Sequence, residues 1–147
     1  MDTAYKTTLE LDKVLNRAVQ LCACQETKEM MQALEPAPTI EDERYDLTQT
    51  NAINALLIKN GSPRFGSVRE VRRIVAHARK GGILSMGELL EIAATLRNFS
   101  GLSQWYGLSE HEMLPTDDLF FALAPQPVLE KQISESILSP EEMADTA

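Results

Sequence analysis

Apolar residues recur at intervals of three and four along most of the chain, which is the spacing of one face of an α-helix. Several of these segments begin with a Ser or Thr three residues before an acidic residue, the signature of a helix N-terminus: Thr7 with Glu10, Thr39 with Asp42, and Ser85 with Glu88. The pattern predicts helices over about 7–21, 26–34, 39–60, 68–80, 85–106, 116–123 and 128–137. No alternating segment of convincing strand length appears, so we predict an all-α bundle of about six to seven helices.

The C-terminal residues carry one further helix signal. Ser139-Pro140-Glu141-Glu142 has the composition of a helix start, with proline at the first helical position. Since the sequence stops five residues later, we expect this helix to belong to a longer helical region. We expect residues 1–147 to form a single helical domain, with an ordered core over about 6–107 and a less clearly patterned acidic end over 108–147.

Composition is that of an ordinary globular chain, with 44% apolar and 24% charged residues in 147. A chain of this length can bury a core without disulfides or metal. It has no apolar run long enough to cross a membrane and no signal-peptide pattern. Cys22 and Cys24 would point about 200° apart on a helix, which disfavours a bridge between them, so we expect reduced thiols and a cytoplasmic protein.

Charge is distributed unevenly along the chain. The formal net charge is −8, yet residues 1–108 carry 13 acidic and 13 basic residues, while residues 109–147 carry nine acidic residues and one lysine. The segment 64–80 has six basic residues and one acidic residue, a local charge of +5. The chain therefore has a basic segment (64–80) and an acidic end (109–147).

The basic segment is the best candidate for binding chemistry. On a helix its apolar residues share a core face, formed by Val71, Ile74, Val75 and Ala78. Arg69, Arg73 and Lys80 then fall within about 40° of one another on the other side. Such a row suits a phosphate backbone, because each cation can displace a condensed counterion. The candidate nucleic-acid contacts are Arg64, Arg69, Arg72, Arg73, Arg79 and Lys80. The alternatives are a solvated helix face and internal pairing with the acidic end.

Catalytic, cofactor and metal motifs do not stand out. The chain has no glycine-rich phosphate loop followed by Lys and Ser or Thr, and no nucleophile elbow. His77 and His111 are isolated, and no zinc-ligand spacing involves the two cysteines. We therefore assign no catalytic, cofactor-binding or metal-binding residue.

Three stretches together resemble the N-terminal region of the bacterial MutS type-two family. Lys6-Thr7-Thr8-Leu9-Glu10-Leu11-Asp12-Lys13-Val14-Leu15 resembles the family's K-T-L-E-F-D-K-I-L, and Leu34-Glu35-Pro36 its L-x-P. The most specific match is Gly66-Ser67-Val68-Arg69-Glu70-Val71 followed by Ala78-Arg79-Lys80-Gly81-Gly82-Ile83-Leu84-Ser85, which is similar to G-x-I-x-D-I and A-x-K-G-G-V-L-S. The resemblance extends from Lys6 to about Phe99.

This resemblance implies a helical, core-type N-terminal module of a much longer cytoplasmic homodimer. Members of the family carry a MutS-type ATPase, which uses ATP and Mg²⁺, and usually a small nuclease domain, and none of those motifs lies in this sequence. The resemblance further implies that the parent protein acts on branched or recombining DNA, where it suppresses homologous recombination, and on collided ribosomes. It implies DNA, ribosome and a second subunit as partners, and no membrane.

A second interpretation, from a different functional class, is a protein-interaction or dimerisation module that does not touch nucleic acid. Under it, the acidic end and the uncovered apolar faces bind another subunit. Light scattering together with nucleic-acid titration distinguishes the two.

Overall fold

The computed structural model of the protein describes residues 8–64, 66, 69–108 and 112–145. These residues contain seven helices and a two-stranded antiparallel hairpin, which confirms the all-α prediction. The helices are α1 (Leu11–Leu21), α2 (Gln25–Gln32), α3 (Ile40–Asn60), α4 (Arg72–Arg79), α5 (Met86–Tyr106), α6 (Asp117–Phe121) and α7 (Pro127–Ser136), and the strands are β1 (Ile137–Ser139) and β2 (Glu142–Met143). The chain divides into two compact units, Met1–Leu47 and Thr48–Ala147.

The first unit consists of α1 packed against α2, followed by the beginning of α3. Thr39 caps α3 as predicted: its hydroxyl accepts a hydrogen bond from the Asp42 N–H at 3.1 Å and donates one to the Asp42 carboxylate at 2.8 Å. Between residues 8 and 47, no described side chain is buried. The apolar faces of this unit are therefore only partly covered by its own residues.

The start of α1 differs from the predicted capping pair. Thr7 lies outside the described residues, and the helix begins after Glu10, which has a left-handed backbone with φ 55°. The Glu10 carboxylate accepts a hydrogen bond from Lys13 Nζ at 2.6 Å. Glu10 is thus the residue before the helix rather than a member of its first turn.

Cys22 and Cys24 lie on the extended link between α1 and α2, so the expectation that a helix separates their side chains is wrong. Cys22 ends α1 and Cys24 precedes α2, both with extended backbone. Both thiols are free. The Cys22 Sγ donates to the Ala18 carbonyl at 3.4 Å, and the Cys24 Sγ lies 3.0 Å from the Thr27 hydroxyl.

In the second unit, one core forms where the ends of α3 and α5 meet α6. Leu56, Trp105 and Tyr106 are buried there, and the Tyr106 ring stacks on Phe120 with centroids 3.8 Å apart. The Tyr106 hydroxyl lies 2.9 Å from the hydroxyl of Thr116 and donates to Asp117 Oδ1 at 2.6 Å. Burial, together with the bond to Asp117, raises the pKa of Tyr106.

A second core forms on another part of α5. Ala93 of α5 packs with Ile133 of α7 and Ile137 of β1, all three buried. At the surface of this contact, the Arg97 guanidinium donates to Glu130 Oε1 at 2.6 and 3.0 Å and to the Ser134 hydroxyl at 3.1 Å. The apolar contact and the charged pair both hold α7 against α5.

The helix predicted to begin at Ser139 is wrong, because residues 137–143 form a β-hairpin. Ile137 pairs with Met143, and the Ala144 N–H donates to the Ser136 carbonyl at 2.9 Å. Pro140 lies in the turn between the strands. A Ser-Pro pair suits a turn as well as a helix start, and here extended backbone allows Ile137 to reach the core on α5.

Replacing the buried tyrosine tests the polar network. Y106F leaves Thr116, which has 0% of its surface exposed, without its Tyr106 partner. We therefore expect the free energy of unfolding, measured by urea denaturation, to fall by about 1–3 kcal/mol. T116V removes the same bond, and the double variant should cost less than the sum of the two. F121L, at an exposed ring on α6, is the control and should change stability by less than about 0.5 kcal/mol. Additive costs for Y106F and T116V would contradict a shared bond.

Candidate nucleic-acid interface

The helix of the basic segment is shorter than predicted. It was expected over about 68–80, and α4 spans Arg72–Arg79; Val68 lies outside the described residues. Val71 precedes the helix and offers no side-chain cap, whereas Gly81, with φ 83°, lies just after the helix and ends it. Arg69 therefore precedes α4 and Lys80 follows it. Together with Arg73 they do not form the single helical row that the sequence suggested.

The core face of α4 is also narrower than predicted. Ile74 is buried and Val71 is half-buried, but Val75 is 42% exposed and Ala78 is exposed. The helix is thus held by one buried side chain, and most of its circumference faces solvent. Its cations consequently have room to meet a large ligand.

All six candidate cations are exposed. Arg69 Nη1 lies 3.8 Å from Glu91 Oε1 on α5, which is a long ion pair, and the two side chains are 60% and 39% exposed. Within the residues that the structure describes, the other five have no ion pair or side-chain hydrogen bond: Arg64, Arg72, Arg73, Arg79 and Lys80. Internal pairing with the acidic end is therefore not seen in the described parts of the two segments.

The loop before α4 is fixed to α5 at two points. The Trp105 Nε1 donates to the Gly61 carbonyl at 2.8 Å, and the Gly66 N–H donates to Asn98 Oδ1 at 2.9 Å. A Cβ on Gly66 would lie 2.6 Å from that oxygen, so a larger residue here would displace the Asn98 amide from this position. Both anchors are missed by sequence reasoning, because nothing in the spacing of Asn98 or Trp105 points to a distant loop. The exposed Arg64 thus lies between two anchored residues, Gly61 and Gly66.

The turn after α4 is equally well fixed. The N–H groups of Gly81 and Gly82 donate to the carbonyls of Ala78 and His77 at 2.9 and 3.1 Å. The His77 ring covers Gly82 so closely that a Cβ there would overlap the ring. On the far side of the turn, Ser85 and Glu88 form the predicted capping box of α5. The cations at the end of α4 therefore stand beside a turn with little freedom.

The capping box also sets the charge state of Glu88. The Ser85 backbone N–H donates to Glu88 Oε2 at 2.7 Å and the Ser85 hydroxyl donates to the same atom at 2.8 Å. These two bonds, and to a smaller extent the charge of His77, hold the Glu88 pKa below its usual value of 4.5. The ionised carboxylate is thus the form that caps the helix.

A groove of about 290 Å³ runs beside the Arg69–Glu91 pair, with Gly87, Leu90, Ala94 and Pro140 as its other lining residues. Nothing in this groove resembles a catalytic set.

In the described part of the chain, no three His, Cys, Asp or Glu side chains converge as metal ligands would. The described helices include none of the length and apolar content that crossing a membrane requires. The geometry around α4 is that of a cationic surface.

Three proteins named endonuclease MutS2 are similar to this chain along nearly its whole length. That of Ruminiclostridium cellulolyticum is 30% identical over 149 residues, which cover 100% of this chain and 19% of the relative. Those of Clostridium beijerinckii and Halothermothrix orenii are 28% and 27% identical, covering 95% and 100% of this chain and 18% and 20% of the relatives. The chain therefore spans about a fifth of the length of the curated relatives it matches. No family model and no solved structure matches it.

The lowered pKa of Glu88 gives a pH dependence with a definite sign. Ionised Glu88 favours the folded state above pH 4.5, and that contribution is lost as the pH falls through the lower folded pKa. We expect wild type to be more stable than E88Q at neutral pH and the difference to shrink as the pH falls below 4.5, measured by thermal unfolding of both proteins from pH 7 to pH 3. A difference that stays constant over this range would contradict this assignment.

Proposed function

Since the chain is a homologue of the MutS2 endonucleases, as the resemblance of its residues predicts, we propose that it is a non-catalytic helical module of a MutS2-type protein and that its basic segment contacts the phosphate backbone of nucleic acid. The observation that carries this proposal is the exposure of six cations around α4, five of which have no charged partner among the described residues.

The energetics favour a polyanion as the ligand. Four of the cations lie within nine consecutive residues: Arg72, Arg73, Arg79 and Lys80. They repel one another, because no described acidic side chain pairs with them. A phosphate backbone relieves that repulsion and releases its own condensed counterions. Binding of this kind is independent of base sequence and weakens steeply as salt rises.

The acidic end is an unfavourable surface for the same ligand, although one of its residues, Pro140, lines the groove beside Arg69. Nine of the ten charged residues between 109 and 147 are acidic, so that this part of the surface repels a phosphate backbone. A polyanion is therefore steered towards the basic segment even though the whole chain is negatively charged. In a MutS2-type protein, such a module would orient the nucleic acid for parts of the molecule that carry the chemistry.

The wider role that we propose is the one that the family resemblance implies, and of it the relatives' names state only that they are endonucleases. The parent protein is a cytoplasmic homodimer that uses ATP and Mg²⁺ in an ATPase domain elsewhere in its sequence. It acts on branched or recombining DNA, which suppresses homologous recombination, and on the ribosomal RNA of collided ribosomes. In this view the chain itself turns over no substrate.

A second candidate function is a protein-interaction or dimerisation module, and one observation favours it. The described residues of the first unit include no buried side chain but eight exposed large hydrophobic ones: Leu9, Val14, Leu21, Met30, Leu34, Ile40, Tyr45 and Leu47. Burial of such residues against a partner is favourable by roughly 25 cal/mol per Å² of apolar surface. A tight dimer in light scattering that does not bind DNA or rRNA at low salt would favour this function over the first.

Charge reversal tests the backbone contact. The triple variant R64E/R72E/R73E should bind a 20-base-pair duplex more than about tenfold more weakly at low salt. The magnitude of the slope of log K against log salt concentration should also fall by about three. Glutamates in the first turn of α4 suit the helix dipole, so the variant should remain folded. The control is the triple variant K13E/R17E/K131E, which changes the net charge by the same amount at exposed residues outside the basic segment. Equal losses in the two triple variants would contradict a contact specific to the basic segment.

Removing the acid that faces Arg69 tests the same contact in the opposite direction. E91Q releases Arg69 for phosphate, and because an exposed pair is worth up to about 1 kcal/mol, affinity should rise by about two- to fivefold. E135Q makes the same change of charge opposite Lys131 on α7 and is the control. Fluorescence anisotropy of a labelled duplex measures the affinity of both variants. An equal gain in the two variants would show only an effect of net charge.

A further inference from the structure

We propose that Ile83 is an apolar wedge that packs against an unpaired or unstacked base of nucleic acid whose backbone lies on the basic segment. This inference rests on the proposed backbone contact and adds a second kind of contact to it. The ligand class it implies is a branched, bulged or frayed nucleic acid, in preference to an intact duplex.

The first observation is the exposure of Ile83 itself. The side chain is 93% exposed, whereas the next residue, Leu84, is half-buried. A single exposed hydrophobic residue is ordinary on a protein surface. What distinguishes Ile83 from the control position Ile58 is its place three residues after Lys80, at the end of the basic segment. The backbone on both sides of it is also held in place, so that the side chain is presented beside the cations.

The second observation is how that backbone is held. Before Ile83, the N–H groups of Gly81 and Gly82 are bonded to the last turn of α4, and the His77 ring packs on Gly82. After it, Ser85 is fixed by the capping box of α5. Because isoleucine is β-branched, its own side chain has few rotamers. The entropy lost when such a group inserts into a ligand is therefore small.

The third observation is the distance of Ile83 from the cations. It follows Lys80 by three residues and Arg79 by four, so that the Cα atoms of Lys80 and Ile83 are at most about 11 Å apart. That is about three base steps of a nucleic acid, at 3.4 Å per step. A strand whose phosphates reach Arg79 and Lys80 thus brings its bases within reach of Ile83.

The chemistry of this pairing identifies the ligand. Proteins that kink or open nucleic acid insert aliphatic side chains, isoleucine among them, between bases while cations hold the adjacent phosphates. Separating stacked bases in a duplex costs free energy, and an already unpaired base avoids most of that cost. The wedge is therefore expected to contribute most where a base is already free, at a junction or bulge.

A serine substitution at Ile83 tests the wedge, with two labelled probes of equal length. One is a paired DNA duplex, and the other is the same duplex with a single bulged 2-aminopurine. We expect I83S to bind the duplex like wild type but to lose about fivefold in affinity for the bulged probe. The change in 2-aminopurine fluorescence that wild type produces should also be lost. Both probes are repeated as RNA, to distinguish the two sources of such a base.

The matched control is I58S, at another isoleucine with a high exposed fraction, 79%, on α3 outside the basic segment. It should leave both probes unaffected, and thermal unfolding of both variants should match that of wild type. Duplex binding together with unchanged recognition of the bulge by I83S would overturn the wedge and leave the backbone contact intact. No binding of wild type to either probe would overturn both proposals. A change of oligomeric state in I83S, seen by light scattering, would instead assign Ile83 to a protein interface and overturn the wedge.

Discussion

The second unit depends on the burial of side chains along a single helix, α5. Ala93 faces the core shared with α7 and β1, and Trp105 and Tyr106 face the core shared with α3 and α6. The same helix provides Asn98 for the loop that carries Arg64. A helix that is apolar on several sides must be buried by several neighbours. The end of α3, together with α6, α7 and β1, therefore packs around α5, which also holds the loop before α4 through Asn98 and Trp105.

In contrast, α4 contributes little to its own stability. An isolated helix of eight residues is marginal in water, and this one has one buried side chain and several neighbouring like charges. Two features compensate for this. Arg79 in the last turn suits the helix dipole, and the glycine turn after Lys80 provides hydrogen-bond donors for the last carbonyls. The helix is thus fixed at its C-terminal end, next to Ile83, and least supported where Arg72 and Arg73 stand.

The sequence predicts best those features that depend on neighbouring residues. The caps at Thr39 and Ser85 form within a few residues, and both are confirmed. The hairpin at 137–143 is missed because burial of Ile137 against α5 overrides a local helix signal. The start of α4 and the exposure of Val75 depend on contacts with distant residues, which no periodicity reports. The cations are therefore predicted as a charge pattern, whereas their arrangement around a short helix is not.

The like charges on α4 also determine how a bound polyanion would affect the stability of this helix. Like charges that repel one another destabilise α4 in the unbound state, and a bound polyanion removes that repulsion. Anything that binds the folded state alone also stabilises it, by RT ln(1 + [L]/Kd) for ligand L. Under the proposed contact, the free energy of folding of α4 and the affinity for a phosphate backbone would consequently be coupled. The proposed ligand would then balance the excess of cations on this weakly anchored helix.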